Sequence, residues 1–256
     1  MILVIDVGNT NTVMGLFQGK KLVHDWRIRS QKNMTEDEFN LLVSSLFRER
    51  QIDPESIRKT VISSVVPPVK EILQTFCTKY LGHPPIWVNS ETTKSIMPIR
   101  YTNPTEVGAD RIVNAVAAYE KYQSAIIAID FGTATTFDII SSEGEYMGGA
   151  ISPGIRIASE ALFANASKLP RVEICTPPER AIGLDTAESM KAGIIFGYAG
   201  LVDGMVERIK REMGCEPKVI ATGGLASVIS GVSSTIESVE PELTLEGLQI
   251  IAERLS

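Results

Sequence analysis

Ile5-Asp6-Val7-Gly8-Asn9-Thr10-Asn11-Thr12-Val13 is the stretch that decides the fold. It ends the apolar run Ile2-Leu3-Val4-Ile5 with an acid, a glycine and four small polar residues. A second β-rich run, Val13 to Phe17, follows at once, so the reading is strand, tight turn, strand. The pattern returns as Ile129-Asp130-Phe131-Gly132-Thr133-Ala134-Thr135-Thr136-Phe137, an offset of 124 residues in a chain of 256. Ile, Asp, Gly and the last Thr coincide, and the flanking strands match in type. A motif is confirmed by its structural context, and here the context repeats with it. The expectation is an internal duplication: an α/β protein whose two related halves, residues 1–104 and 105–256, carry mixed β-sheets flanked by helices and face each other across a cleft.

Working outward, Gln18-Gly19-Lys20 is a turn and Leu22 to Ile28 a third strand, which makes a meander. Thr35 and Glu38 form a capping box ahead of a helix with Phe39, Leu42, Val43, Leu46 and Phe47 on one face. Thr60 to Ser64 reads as a buried strand. Pro67 and Pro68 open a helix carrying Val69, Ile72, Leu73 and Phe76. Ile86 to Val88 is a short strand. The second half restarts with a helix over Thr105–Tyr122 and strands over Ala125–Ile129, Phe137–Ile140 and Tyr146–Ile151. Helices are expected over Pro153–Phe163, Ala187–Met213 and Leu245–Leu255, with a strand over Val219–Thr222.

Composition narrows the function. Lys and Arg number 25 against 31 Asp and Glu, a net charge of −6, with 44% hydrophobic and 22% charged residues. That is too apolar for a disordered chain, and it offers no basic excess for a nucleic-acid backbone. Cys77, Cys175 and Cys215 are far apart, and His24 and His83 are isolated. Neither a disulfide framework nor a transition-metal site is therefore expected. No basic leader or membrane-length apolar run stands out. The expected setting is cytoplasmic, with no membrane partner.

The turns carry the chemistry. Gly8 lets backbone approach a ligand closely. Asn9, Thr10, Asn11 and Thr12 offer N–H groups, amides and hydroxyls of the kind that suit a polyphosphate. Asp6 can hold Mg²⁺, directly or through water. The second turn has Phe131 and Ala134 where the first has Val7 and Thr10. A division of labour follows: the first turn takes phosphates, and the second supplies the carboxylate of Asp130 and one hydroxyl. In Asn103-Pro104-Thr105-Glu106-Val107-Gly108-Ala109-Asp110-Arg111, an acid and an arginine stand at a helix start behind a glycine. That suits a general base and an anion anchor, with the carboxylate favoured by the helix dipole. The plainer readings are a hairpin with a turn glycine and a capped helix with solvated charges. Gly148 to Gly154 and Ala221 to Ala226 are glycine-rich strand ends where a nucleotide can approach backbone. No Walker-type G-x-x-x-x-G-K-[ST], G-x-G-x-x-G or G-x-S-x-G occurs.

Taken in order, Ile5 to Thr12, Gly108-Ala109-Asp110-Arg111, Asp130 to Thr136 and Gly149 to Gly154 resemble the type III pantothenate kinases. Ile182 to Thr186 and Ala221 to Gly224 extend the resemblance over most of the chain. It implies a duplicated actin-like (ribonuclease H-like) fold of the acetate/sugar kinase–Hsp70–actin superfamily. The activity it implies is transfer of the γ-phosphoryl of ATP to the 4′-hydroxyl of pantothenate, the first step of coenzyme A biosynthesis. By resemblance, Asp6, Val7, Gly8, Asn9, Thr10, Asn11, Thr12 and Val13 surround the ATP phosphates, and Thr133 contacts ATP. Asp110 accepts the proton. Tyr101, Gly108, Ala109, Asp110, Arg111 and Thr186 contact pantothenate. Asp130 binds a monovalent cation, K⁺ or NH₄⁺, alongside the Mg²⁺ that Asp6 would hold. A homodimer is implied, its partner subunit helping to close the pantothenate pocket. The rival readings are a non-catalytic nucleotide-binding accessory protein of the same family, an actin-like polymer or chaperone ATPase, and another small-molecule kinase of the superfamily.

Overall fold

Strand β1 (Ile2–Val7) pairs antiparallel with β2 (Asn11–Gln18), and β2 antiparallel with β3 (Lys21–Arg29). On its other side β1 pairs parallel with β4 (Lys59–Ser64), which β5 (Ile86–Trp87) extends. The order is β3-β2-β1-β4-β5. The computed structural model describes residues Met1–Leu255.

One face of this sheet is apolar. Leu3, Ile5 and Val7 of β1 and Met14 and Leu16 of β2 pack against α1 (Glu36–Glu49) and α2 (Val69–Phe76). Phe39, Val43 and Phe47 from α1 and Leu73 and Phe76 from α2 fill that layer. Each such side chain, fully buried, contributes about 1.5–3 kcal/mol. The capping box at Thr35 forms as its spacing requires: Glu38 N–H donates to Thr35 Oγ1 at 3.3 Å, and Thr35 N–H to Glu38 Oε2 at 2.8 Å. Because strand side chains alternate, Asp6 lies on the face opposite Ile5 and Val7.

The helix expected from Thr105 is two pieces. Pro104–Glu106 is one 3₁₀ turn capped by the Asn103 side chain, Val107 is extended, and α3 (Ala109–Tyr122) starts only after Gly108. Beyond α3, strands β6 (Ile126–Phe131), β7 (Ala134–Ile140) and β8 (Tyr146–Pro153) form a second meander. β9 (Lys218–Thr222) runs parallel to β6, and β10 (Ser238–Val239) to β9. The order β10-β9-β6-β7-β8 repeats the first sheet strand for strand. Its core sets Ile127, Ile129, Phe131 and Phe137 against α5 (Thr186–Met213), with Ile155 of α4 (Ile155–Asn165) and Ile229 of α6 (Ala226–Ser230). Helix α4 begins two residues later than expected, since Pro153 still pairs with Ala134 and Gly154 is the N-cap. The short β10 and α6, and the π turn Cys77–Leu81 that prolongs α2, went unforeseen because such lengths carry no period.

Two compact units result: residues 1–117 with the chain from Thr244 onward, and residues 118–243. The expected boundary after residue 104 thus falls inside the first unit. The start of α3 belongs there, and α7 (Leu243–Arg254) returns to it. Thr244 Oγ1 bonds Asn114 Oδ1 at 2.8 Å, and Lys59 Nζ donates to Ala252 O at 2.8 Å. Gly247 lets α7 approach α3 closely, for a Cβ there would lie 2.3 Å from Val113 O. Gly247→Ala, which raises helix propensity, is therefore expected to destabilise the chain by about 1–3 kcal/mol through overpacking. Thermal melting reads this directly, and a melting point at or above the parent's would show that the two helices do not meet as described.

Candidate active site

The first turn is tighter than its residue types convey. Asp6 is the next-to-last paired residue of β1, opposite Val13 on β2 and Ser63 on β4. Val7 pairs with Thr12, leaving Gly8 to Asn11 as the loop. Gly8 N–H donates to Asn11 O at 3.0 Å, so that donor is already used within the turn. The Thr12 side chain is 5% exposed, and its hydroxyl lies 2.9 Å from Ser30 Oγ rather than pointing to solvent. Asn9 and Thr10 are the exposed tip. Of the four polar side chains expected to meet phosphate, Thr12 serves the hairpin instead.

The second turn is one residue shorter. Phe131 pairs with Thr135, where Val7 pairs with Thr12, and Gly132 N–H donates to Ala134 O at 3.1 Å. Thr12 therefore corresponds to Thr135 and not, as the linear match implied, to Thr136. Asp130 is half-buried at the end of β6, opposite Thr222 of β9. Gly223, at φ +91°, turns the chain beside it; a Cβ there would lie 2.5 Å from Asp130 Oδ1. Thr133 is exposed. Thr186 is exposed in the first turn of α5, next to the N-cap Asp185 that accepts from Glu188 N–H at 2.8 Å.

Within the first unit, Asp6 and Asp110 come together. Asp110 stands in the first turn of α3, where its Oδ1 accepts the Arg111 N–H at 2.8 Å. Burial raises its carboxyl above the ordinary range, while that N–H and the Arg111 charge oppose the rise. Asp6 is pushed up to about 7, first by burial and then by the Asp110 charge. Gly108 matters here: a Cβ on it would sit 2.6 Å from Asp110 Oδ1, so a side chain would displace the carboxylate. Arg111 is 7% exposed. Tyr101, at a surface bend before Asn103, is partly exposed.

Three residues of this site went unmarked in the sequence. Ser63 is fully buried, its hydroxyl has no hydrogen-bond partner, and it is near enough to Asp6 to favour the charged carboxylate. Arg27 pairs with Val13, which pairs with Asp6, so the three share one face in a row, and the guanidinium also favours the charged form. Ser30 braces the turn. Only strand register reveals these, and a bulge at Leu16/Phe17 shifts the β2–β3 register.

Among the described residues, no three of His, Cys, Asp and Glu gather as a metal cluster. Mg²⁺ nonetheless fits at Asp6, since it keeps several waters and takes one or two carboxylates plus substrate phosphates. The partnerless Ser63 hydroxyl beside that carboxylate is suited to such a water. No helix among these residues is long and apolar enough to cross a membrane.

A sequence profile for type III pantothenate kinase matches residues 2–208. The chain belongs to the type III pantothenate kinase family. It is 66% identical over 256 residues to the protein of that name from Desulfatibacillum aliphaticivorans, covering 100% of this chain and 99% of the relative. Two solved structures share the fold. One is a Baf family protein from Campylobacter jejuni (TM-score 0.62, 17% identity, 98% of each chain). The other is a ROK hexokinase from Thermus thermophilus (TM-score 0.54, 15% identity, 99% of this chain and 98% of that one). The duplicated sheets are thus those of the actin-like kinase fold.

Proposed function

We propose that the chain phosphorylates pantothenate, moving the γ-phosphoryl of ATP to the 4′-hydroxyl to give 4′-phosphopantothenate, the first step of coenzyme A biosynthesis. The observation that carries this reading is the Asp6–Asp110 pair: a turn carboxylate beside a helix-start carboxylate, in a chain of this family. Phosphoryl transfer needs positioning and charge neutralisation more than covalent chemistry. Asp110 is the proton acceptor for the 4′-hydroxyl. Burial raises its basicity above that of an ordinary carboxylate, which helps it take that proton. The buried Arg111 guanidinium anchors the anionic substrate, together with Gly108, Ala109, Tyr101 and Thr186. Asp6 to Val13 receive the ATP phosphates, Asn9 and Thr10 at the tip foremost. Mg²⁺, held by Asp6 directly or through water, supplies positive charge to the phosphates. Thr133 contacts ATP, and Asp130 takes the monovalent cation, K⁺ or NH₄⁺.

The enzyme is cytoplasmic and homodimeric in this reading. Gly193, Gly197, Gly200 and Gly204 form one exposed face of α5 with open space above each, which suits close approach of a second copy. Ile182 and Leu184, beside Thr186, are 77% and 79% exposed and suit cover by a partner. Sedimentation of the purified chain is expected at twice the monomer mass; a monomer at micromolar concentration would refute this part.

ADP release with ATP, pantothenate, Mg²⁺ and K⁺ tests the activity. Loss of a positioned base typically costs about 10²–10⁴-fold. Asp110→Asn should lose kcat by that factor and keep most ATP affinity; normal turnover would remove Asp110 as the base. Replacing K⁺ by Na⁺ should depress the rate, and an unchanged rate would remove the cation role of Asp130. No ADP release with pantothenate, but release with another alcohol, would transfer the site to a different small-molecule kinase activity.

A further inference from the structure

We propose that Ser30 is a positioning residue that latches the first hairpin in the shape its ligand meets. This rests on the reading of residues 8–11 as the phosphate-binding turn. Ser30 directly follows β3 and touches that turn three times. Its N–H donates to Thr10 O at 3.0 Å, its Oγ donates to Gly8 O at 2.7 Å, and its Oγ lies 2.9 Å from Thr12 Oγ1. A hydroxyl carries one proton. With that proton directed to Gly8 O, Ser30 can only accept in its contact with Thr12, so Thr12 is the donor. Residues 8, 10 and 12 are thus tied to one serine, while Asn9 and Thr10 stay exposed at the tip.

The duplication supplies an internal comparison. Thr12 faces Ile28 on the outer strand, and its counterpart Thr135 faces Ser152. Two residues on, Ser30 corresponds to Gly154. A Cβ at Gly154 would lie 2.1 Å from Thr133 O, so no side chain fits there. Thr135, fully buried, is left with a hydroxyl that has no hydrogen-bond partner. The sheet therefore forms without this serine. What distinguishes the first hairpin is its extra loop residue, and a longer turn has more conformations to lose on ordering. The latch removes those conformations before the ligand arrives, which is preorganisation.

The test measures ATP affinity of the purified full chain by calorimetry, and KM for ATP and for pantothenate by ADP release. Ser30→Ala should weaken ATP binding and raise its KM by about tenfold, the size of one hydrogen bond with a buried partner left unpaired. KM for pantothenate should stay within about twofold, since the latch touches only the hairpin. Ser30→Thr, which keeps the hydroxyl, should restore ATP affinity. A merely structural serine would shift the melting point and leave the two KM values moving together, and that result overturns the latch. So does an unchanged ATP affinity in Ser30→Ala when Thr10→Val weakens it. If Thr10→Val and Ser30→Ala both leave ATP affinity unchanged, the hairpin is not the phosphate site, and that reading falls together with the latch. Should Ser30→Ala not fold, Thr12→Val breaks the latch from its other end; a smaller rise in KM for ATP alone supports the proposal, and no rise overturns it.

Discussion

Two carboxylates share one poorly solvated corner of the first unit, and the arrangement of the site follows from that constraint. Asp6 is fixed by β1 between its neighbours on β2 and β4, and Asp110 by the first turn of α3. Burial disfavours charge on both, and at Asp6 the Asp110 charge adds to it. The compensations present are the Arg111 N–H and charge on Asp110, and the Arg27 charge and the Ser63 hydroxyl near Asp6. A substrate that brings Mg²⁺ would relieve the repulsion, and a substrate hydroxyl would find a carboxylate made more basic by its surroundings. The net charge of −6 fits this picture, because an anionic nucleotide gains nothing from the bulk field and depends on local donors and cations.

The duplication then explains why the two turns differ. Both halves keep strand order, strand directions and the acid at the strand end. The first adds a loop residue and a serine to hold it; the second shortens the loop, packs Gly154 against Thr133 O, and brings Gly223 up to Asp130. One framework thereby carries an exposed polar tip on Asn9 and Thr10 and, separately, a half-buried acid with the Gly223 backbone close beside it. The two turns thus differ in loop length as well as in residue type.

Much of this was legible in the chain. The apolar run of β1 and the capping box at Thr35 are local, and local physics decided them. The acids at 6, 110 and 130 stood out because turn glycines and a helix start framed them. What stayed hidden depends on register. Nothing near Ser30, Ser63 or Arg27 in sequence says that each lies beside the first turn or its acid; only pairing across β3-β2-β1-β4 does. The same blindness equated Thr12 with Thr136, since a one-residue change in loop length is invisible until the strands are paired. The break at Val107–Gly108 was missed for a related reason: Asn103 and Pro104 start a helix convincingly, but the turn they start lasts three residues.

The most direct measurement of the central claim is the melting temperature of the parent and of Asp6→Asn, each with and without Mg²⁺ and ATP. If the two acids are confined together at a cost, the variant should melt higher than the parent in metal-free buffer, by about 2–4 °C for each kcal/mol of relief. It should then gain less than the parent when Mg²⁺ and ATP are added. A variant that melts below the parent without metal, or that gains as much from the loaded nucleotide, would contradict the account.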